Sequence, residues 1–136
     1  MIVIICDGSS RGNPGPASIG IVIWERFGTK QRISKPTKTI SKSIGKATNM
    51  VAEFTAINEA IYYVYKKKYK DKVYIYSDSQ VIINIISGRW NAKHKDTKTL
   101  YNQYCLLMSD CKADVTISWV PRQLLYLADK AANEGR

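Results

Sequence analysis

Acidic side chains are scarce in this chain. Its 136 residues carry 11 Asp and Glu against 21 Lys and Arg, a formal net charge of +10. That excess points to a polyanionic partner and is silent about fold, and a solvated basic surface accounts for it equally well. Cysteine is also rare. Cys6, Cys105 and Cys111 are too few and oddly numbered for a disulfide framework, and no CxxC pair suggests zinc. His94 is the single histidine. No apolar run approaches membrane-spanning length, and MIVIIC carries no basic leader. The expectation is a soluble, cytoplasmic monomer. Repeats and low-complexity linkers are missing too, which favours a single domain over 1–136.

What is present is organised around MIVIICDGSSRGNPGPASIG at residues 1–20. Ile2 to Cys6 is an apolar run of buried-strand length that leads to a lone carboxylate, Asp7. Gly8, Gly12 and Gly15 allow sharp bends and close approach by a ligand, and Pro14 and Pro16 stiffen the turn. Ser18 to Glu25 predicts a second strand, residues 27–30 a hairpin turn, and residues 32–43 a third strand broken or bulged near Pro36. Short links between these three imply an antiparallel meander.

Thr48-Asn49 opens a helix with Met50, Phe54, Ile57, Ile61 and Val64 at helical spacing, closed by the lysines of YKKKYK. Those lysines suit the negative end of the helix dipole. Lys72 to Ser77 predicts a fourth strand, parallel to the first, followed by Asp78 and a short helix that stops at Gly88. Thr99 to Cys111 predicts another helix, Asp114 to Val120 a fifth strand, and Leu124 to Asn133 a last helix.

Asp7, Glu53, Asp78 and Asp129 each interrupt an apolar pattern, two at strand ends and two on inward helix faces. Gathered in a partly dry cleft, four carboxylates repel and raise one another's pKa values. Divalent cations remove that conflict, and an oxygen-only donor set favours hard ions such as Mg²⁺. Two such ions about 3.5–4 Å apart can activate a water and steady the departing oxygen of a phosphodiester.

The chain resembles type 1 ribonuclease H along nearly its whole length, in CDGSSRGNPGPASIG, ATNMVAEFTAINEAI, YIYSDSQVIINIISGRW and VPRQLLYLADKAANEG. The resemblance implies an α/β fold: a mixed five-stranded sheet, three antiparallel strands then two parallel, with helices on both faces. It implies cleavage of the RNA strand of RNA/DNA hybrids to 5′-phosphate and 3′-hydroxyl ends, with two Mg²⁺ ions that Mn²⁺ can replace. The family's catalytic and metal-binding acids fall on Asp7, Glu53, Asp78 and Asp129.

For substrate binding, the turn from Gly8 and Ser9 to Asn13 offers backbone groups near Asp7. By resemblance, Asn49 and Gln80 face the minor groove, where the 2′-OH distinguishes RNA; Asn49 as a plain N-cap is the alternative. Asn13, Lys46 and Thr48 match positions that grip a DNA-strand phosphate, although Lys46 also reads as an ordinary solvated lysine. The family's catalytic-loop histidine is missing. Pro121-Arg122-Gln123 stands there instead, with Arg122 either contacting a phosphate or purely structural. The family's frequent Asn four residues before the last Asp is here Leu125, so lower turnover is expected. The long basic protrusion of some relatives is absent, and Trp90, flanked by Arg89, Lys93, Lys95 and Lys98, either meets the duplex or packs against the next helix. His94 reads as a surface histidine. Two alternatives stay open. Double-stranded RNA, which shares A-form geometry, could also be a substrate, or the chain could be a non-catalytic nucleic-acid-binding module.

Overall fold

A computed structural model describes residues 1–26 and 35–135. In chain order its elements are β1 (Ile2–Ser10), β2 (Gly15–Trp24), β3 (Lys38–Ala47), α1 (Asn49–Lys66), β4 (Lys72–Ser77), α2 (Gln80–Ile86), α3 (Lys95–Asp110) and β5 (Asp114–Trp119). A 3₁₀ turn, Arg122–Leu125, then leads into α4 (Tyr126–Gly135). The five strands form one sheet in the order β3-β2-β1-β4-β5. β1 to β3 are antiparallel neighbours, whereas β1–β4 and β4–β5 are parallel, as the sequence predicts.

The alternation along β1 explains how one strand serves two layers. Ile2, Ile4 and Cys6 enter the larger core with Phe54, Ile57 and Ile61 of α1, against which α3 packs its own apolar stripe. Ile5 turns to the other face and joins a smaller cluster with Val22, Leu125 and Ala128 beneath α4. Cys6 is buried, as its place in the strand predicts.

Two glycines set where the helices sit. Asp7 pairs across the sheet with Gly20 of β2. A Cβ on Gly20 would lie 2.1 Å from the Ala128 carbonyl oxygen and 2.5 Å from the Ala132 nitrogen, so α4 rests directly on the sheet there. On the opposite face a Cβ on Gly8 would lie 2.2 Å from the Ala52 carbonyl, so the backbone of α1 touches β1 one residue before Glu53. The hydroxyls of Ser18 and Ser41 donate to the Ala132 and Ala131 carbonyls, tying the last turns of α4 to β2 and β3. Gly20→Ala is therefore expected to cost about 3 kcal/mol, because backbone rather than a side chain must move. Urea unfolding of the variant measures it.

The boundaries differ from the sequence expectation in instructive places. β1 runs on past Asp7 to Ser10 because β2 still pairs with it, while its last parallel pair with β4 is Ile5–Tyr76. Asp7 thus lies just beyond the parallel half of the sheet. Of the three turn glycines only Gly12 has a positive φ, at 86°; at Gly8 a side chain would collide with the backbone of α1. β3 starts at Lys38, after Pro36, and its irregularity falls opposite Ala17 and Ser18, where Gly45 takes φ 81°. The hairpin expected at 27–30 and the start of the strand expected from 32 lie outside the described residues. α3 begins at Lys95 instead of Thr99. Among the described residues, no helix is long and apolar enough to cross a membrane.

Candidate active site

The four acids line one cleft of about 310 Å³ at the end of β1 and β4. Gly8 and Gly20 are the cause. By letting α1 and α4 settle on adjacent residues of the central strands, they bring Glu53 and Asp129 to either side of Asp7. Asp78 arrives from the end of β4, where its backbone carbonyl accepts a hydrogen bond from Trp119 Nε1 at 3.1 Å.

The electrostatics are those of crowded acids. Asp7 is only 6% exposed. Burial first, then the nearby Asp78, Asp129 and Glu53, push its pKa up to about 8, and it shares a hydrogen bond with Asp129. Burial likewise raises Glu53, with a hydrogen bond from the Ser79 hydroxyl pulling the other way. Asp78 is raised by burial and held back by the Arg122 guanidinium. Arg122 Nη2 donates to Asp129 Oδ1 at 3.4 Å, and Asn133 Nδ2 lies 3.5 Å from Asp129 Oδ2. The carboxylates around it, Asp129 above all, raise the pKa of Arg122.

A second network joins the glycine-rich turn to α1. Thr48 is the N-cap, its hydroxyl accepting from Val51 N at 3.1 Å, so Asn49 is the first helical residue and not the cap. Asn49 N donates to Asn13 Oδ1 at 3.0 Å, and Asn49 Oδ1 accepts from Ser10 N at 2.9 Å. None of the described hydrogen bonds uses the Asn49 amide nitrogen, which can donate into the cleft. Ser9 Oγ is buried there without a partner among the described residues.

Of the residues singled out from sequence, Asp7, Gly8, Ser9, Asn49, Glu53, Asp78, Arg122 and Asp129 all line this cleft. Asn13 stands behind it, spent on the Asn49 backbone. The Thr48 hydroxyl is engaged as a cap. Gln80 is exposed at the first turn of α2, and Lys46 is exposed at the end of β3, opposite Pro16. Sequence reasoning missed Ser10 and Asn133. Asn133 was findable, because it sits one helical turn beyond Asp129 and shares its face. Leu125, where a polar group was expected, is fully buried in the core under α4. The amide near Asp129 comes from Asn133 instead.

An oxygen-only donor set around a buried carboxylate crowded by other acids suits a hard divalent cation. Among the described residues no three such side chains already converge as a ready-made coordination sphere. Arg122 occupies one oxygen of Asp129, so a cation must compete with that ion pair.

A mixed sheet in this strand order, flanked by four helices, is the ribonuclease H-like architecture. The RNase H family model matches residues 1–123, and the chain belongs to that family. It is 36% identical over 138 residues to the bifunctional protein Rv2228c of Mycobacterium tuberculosis, covering 98% of this chain and 35% of that protein. It thus spans about a third of the length of that curated relative. The structure of that protein's N-terminal RNase H domain, solved as a fusion with maltose binding protein, superposes with a TM-score of 0.84 at 35% identity, covering 98% of this chain and 91% of the other. Ribonuclease HI of Halobacterium salinarum is 32% identical over 128 residues, which are 94% of this chain and 60% of that protein. The LC11-RNase H1 structure in complex with RNA/DNA hybrid matches with a TM-score of 0.87 at 28% identity, covering 98% of this chain and 95% of the other. These two structural matches extend past residue 123, where the family model ends.

Proposed function

We propose that this chain is an endoribonuclease that cleaves the RNA strand of RNA/DNA hybrids, leaving 5′-phosphate and 3′-hydroxyl ends. The observation that carries the reading is Asp7, buried beside three further acids at the C-terminal end of the central strands. In a chain of net charge +10, a module that merely bound phosphates would gain nothing from that repulsion. The hybrid-bound relative supports the substrate.

Asp7, Glu53, Asp78 and Asp129 are the groups to hold two Mg²⁺ ions, with Mn²⁺ as a substitute. When bound, such ions supply Lewis-acid activation of water and charge stabilisation of the leaving oxygen. The remaining work belongs to the chain's own side chains. Asn49 offers an amide donor, and Gly8 and Ser9 offer backbone groups, toward the minor groove of the hybrid. Glu53 lies on the side from which a 2′-OH would be read. The Arg122 guanidinium opposes the rise that burial imposes on Asp78 and Glu53, favouring their charged forms. Trp90 is 52% exposed. With Arg89 and Lys93 it lines a groove of about 570 Å³ beside the first turn of α1, suited to following a duplex backbone.

The test is cleavage of matched RNA/DNA, RNA/RNA and DNA/DNA duplexes with Mg²⁺ or Mn²⁺, followed by analysis of the product ends. Cutting confined to the RNA of the hybrid is expected. Loss of specificity for the hybrid would redirect the reading to double-stranded RNA, and no metal-dependent scission at all would end it. Arg122→Ala is expected to lower kcat/KM by about tenfold, roughly the worth of one charge-assisted contact. Its acidic pH limb should move to higher pH, because Asp78 and Glu53 lose the cation that favours their charged forms. A pH–rate profile beside the wild type measures both.

A further inference from the structure

The lysine run that closes α1 continues past the end of the helix. Only Lys66 lies in the last turn of the helix. Lys68 takes a left-handed φ of 56° and turns the chain back. The result is a cavity of about 740 Å³ walled by Lys66, Lys68, Lys70 and, from the link between α3 and β5, Lys112. Asp110 is the one acid on its wall. Tyr62 and Tyr65 stand beside these lysines, 42% and 44% exposed. Their rings stack on each other with centroids 6.3 Å apart at 27°, and Lys66 Nζ lies 5.8 Å from the Tyr62 ring centre.

We propose that this face binds a single strand of nucleic acid, an unpaired extension of the duplex held in the catalytic cleft. Phosphates would meet the lysines, and bases would stack on the exposed tyrosine planes. The combination selects this occupant. An acidic peptide or a free phosphate would use the lysines and leave the tyrosines idle, and a duplex keeps its base faces covered. At 1.5 Å per residue, about 18 Å of helix axis separates Tyr65 from Glu53, so these contacts are distinct from those of the cleft. The inference rests on the proposed activity only for the substrate from which the strand extends.

Fluorescence anisotropy with a labelled short oligodeoxythymidylate, in metal-free buffer, tests it without cleavage. Tyr62→Ala/Tyr65→Ala is expected to weaken binding about tenfold, as loss of base–aromatic stacking does. Affinity for a blunt-ended hybrid and the circular dichroism spectrum should stay as in the wild type. Lys66→Gln/Lys70→Gln/Lys112→Gln should flatten the salt dependence of oligonucleotide binding. Unchanged oligonucleotide affinity in the tyrosine variant overturns the proposal, and so does an equal loss on the blunt hybrid. Displacement by an acidic peptide that ignores the tyrosine substitutions overturns it as well. Loss of hybrid cleavage with oligonucleotide binding intact would count against the cleft alone.

Discussion

Asp78→Asn is expected to reduce hybrid cleavage by roughly a thousandfold, about 4 kcal/mol of transition-state stabilisation, while leaving hybrid affinity within a few-fold of wild type. The substitution keeps the shape of the side chain and removes one negative charge from a cleft whose acids already oppose one another. Binding should survive because phosphate attraction comes from the basic surface and does not need a carboxylate. Repulsion of the substrate backbone should even fall slightly. Stability should not suffer, since Trp119 Nε1 donates to the backbone carbonyl at this position and burial already disfavours the charge of the carboxyl. Gel-based cleavage and anisotropy on the same hybrid separate the two effects. Retained turnover in a folded variant would remove Asp78 from the catalytic set.

The same cleft shows how far residue order alone reaches. A carboxylate that ends or breaks an apolar run is visible in sequence, because charge in a core is costly and needs a reason. Asp7, Glu53, Asp78 and Asp129 therefore stand out from the pattern of their neighbours. The sheet order follows from short links between the first three strands and a helical crossover to the fourth. What residue order does not carry is anything decided by contact between distant segments. Gly8 looks like a turn residue in sequence, yet its lack of a side chain is demanded by Ala52 of α1. Gly20 carries no signal, although α4 rests on it. Thr48 and Asn49 are both good capping residues, and only the pairing of Asn49 with Asn13 and Ser10 decides between them. The lysines after α1 illustrate the opposite error. A local rule explains them adequately, yet the fold turns most of them away from the helix axis, onto a wall beside two tyrosines.

In metal-free buffer the stability of this protein is expected to fall as pH rises from about 4 to about 8, and Mg²⁺ is expected to restore it. The sign follows from Asp7, whose pKa rises from 3.8 to about 8 on folding. Between those values the native state retains a proton that the unfolded chain has released, so unfolding becomes easier with each step up in pH. The contribution of Asp7 is complete below the lower value and lost as pH passes through the upper one. Glu53 and Asp78 are shifted in the same direction and deepen the loss. With each pKa unit equivalent to about 1.4 kcal/mol, the burial and crowding of Asp7 together amount to about 6 kcal/mol at the alkaline end. Asp7→Asn should abolish most of that slope and melt above the wild type near pH 8, despite being inactive. A cation binds the deprotonated carboxylates, so its uptake releases protons and tightens with pH. At a hundred times its dissociation constant it adds about 2.7 kcal/mol. Thermal melts of both proteins near pH 4 and near pH 8, with and without Mg²⁺, isolate the contribution of Asp7 as a difference. A wild type that gains nothing from Mg²⁺, together with an Asp7→Asn variant no more stable near pH 8, would mean that these acids neither oppose one another nor share an ion.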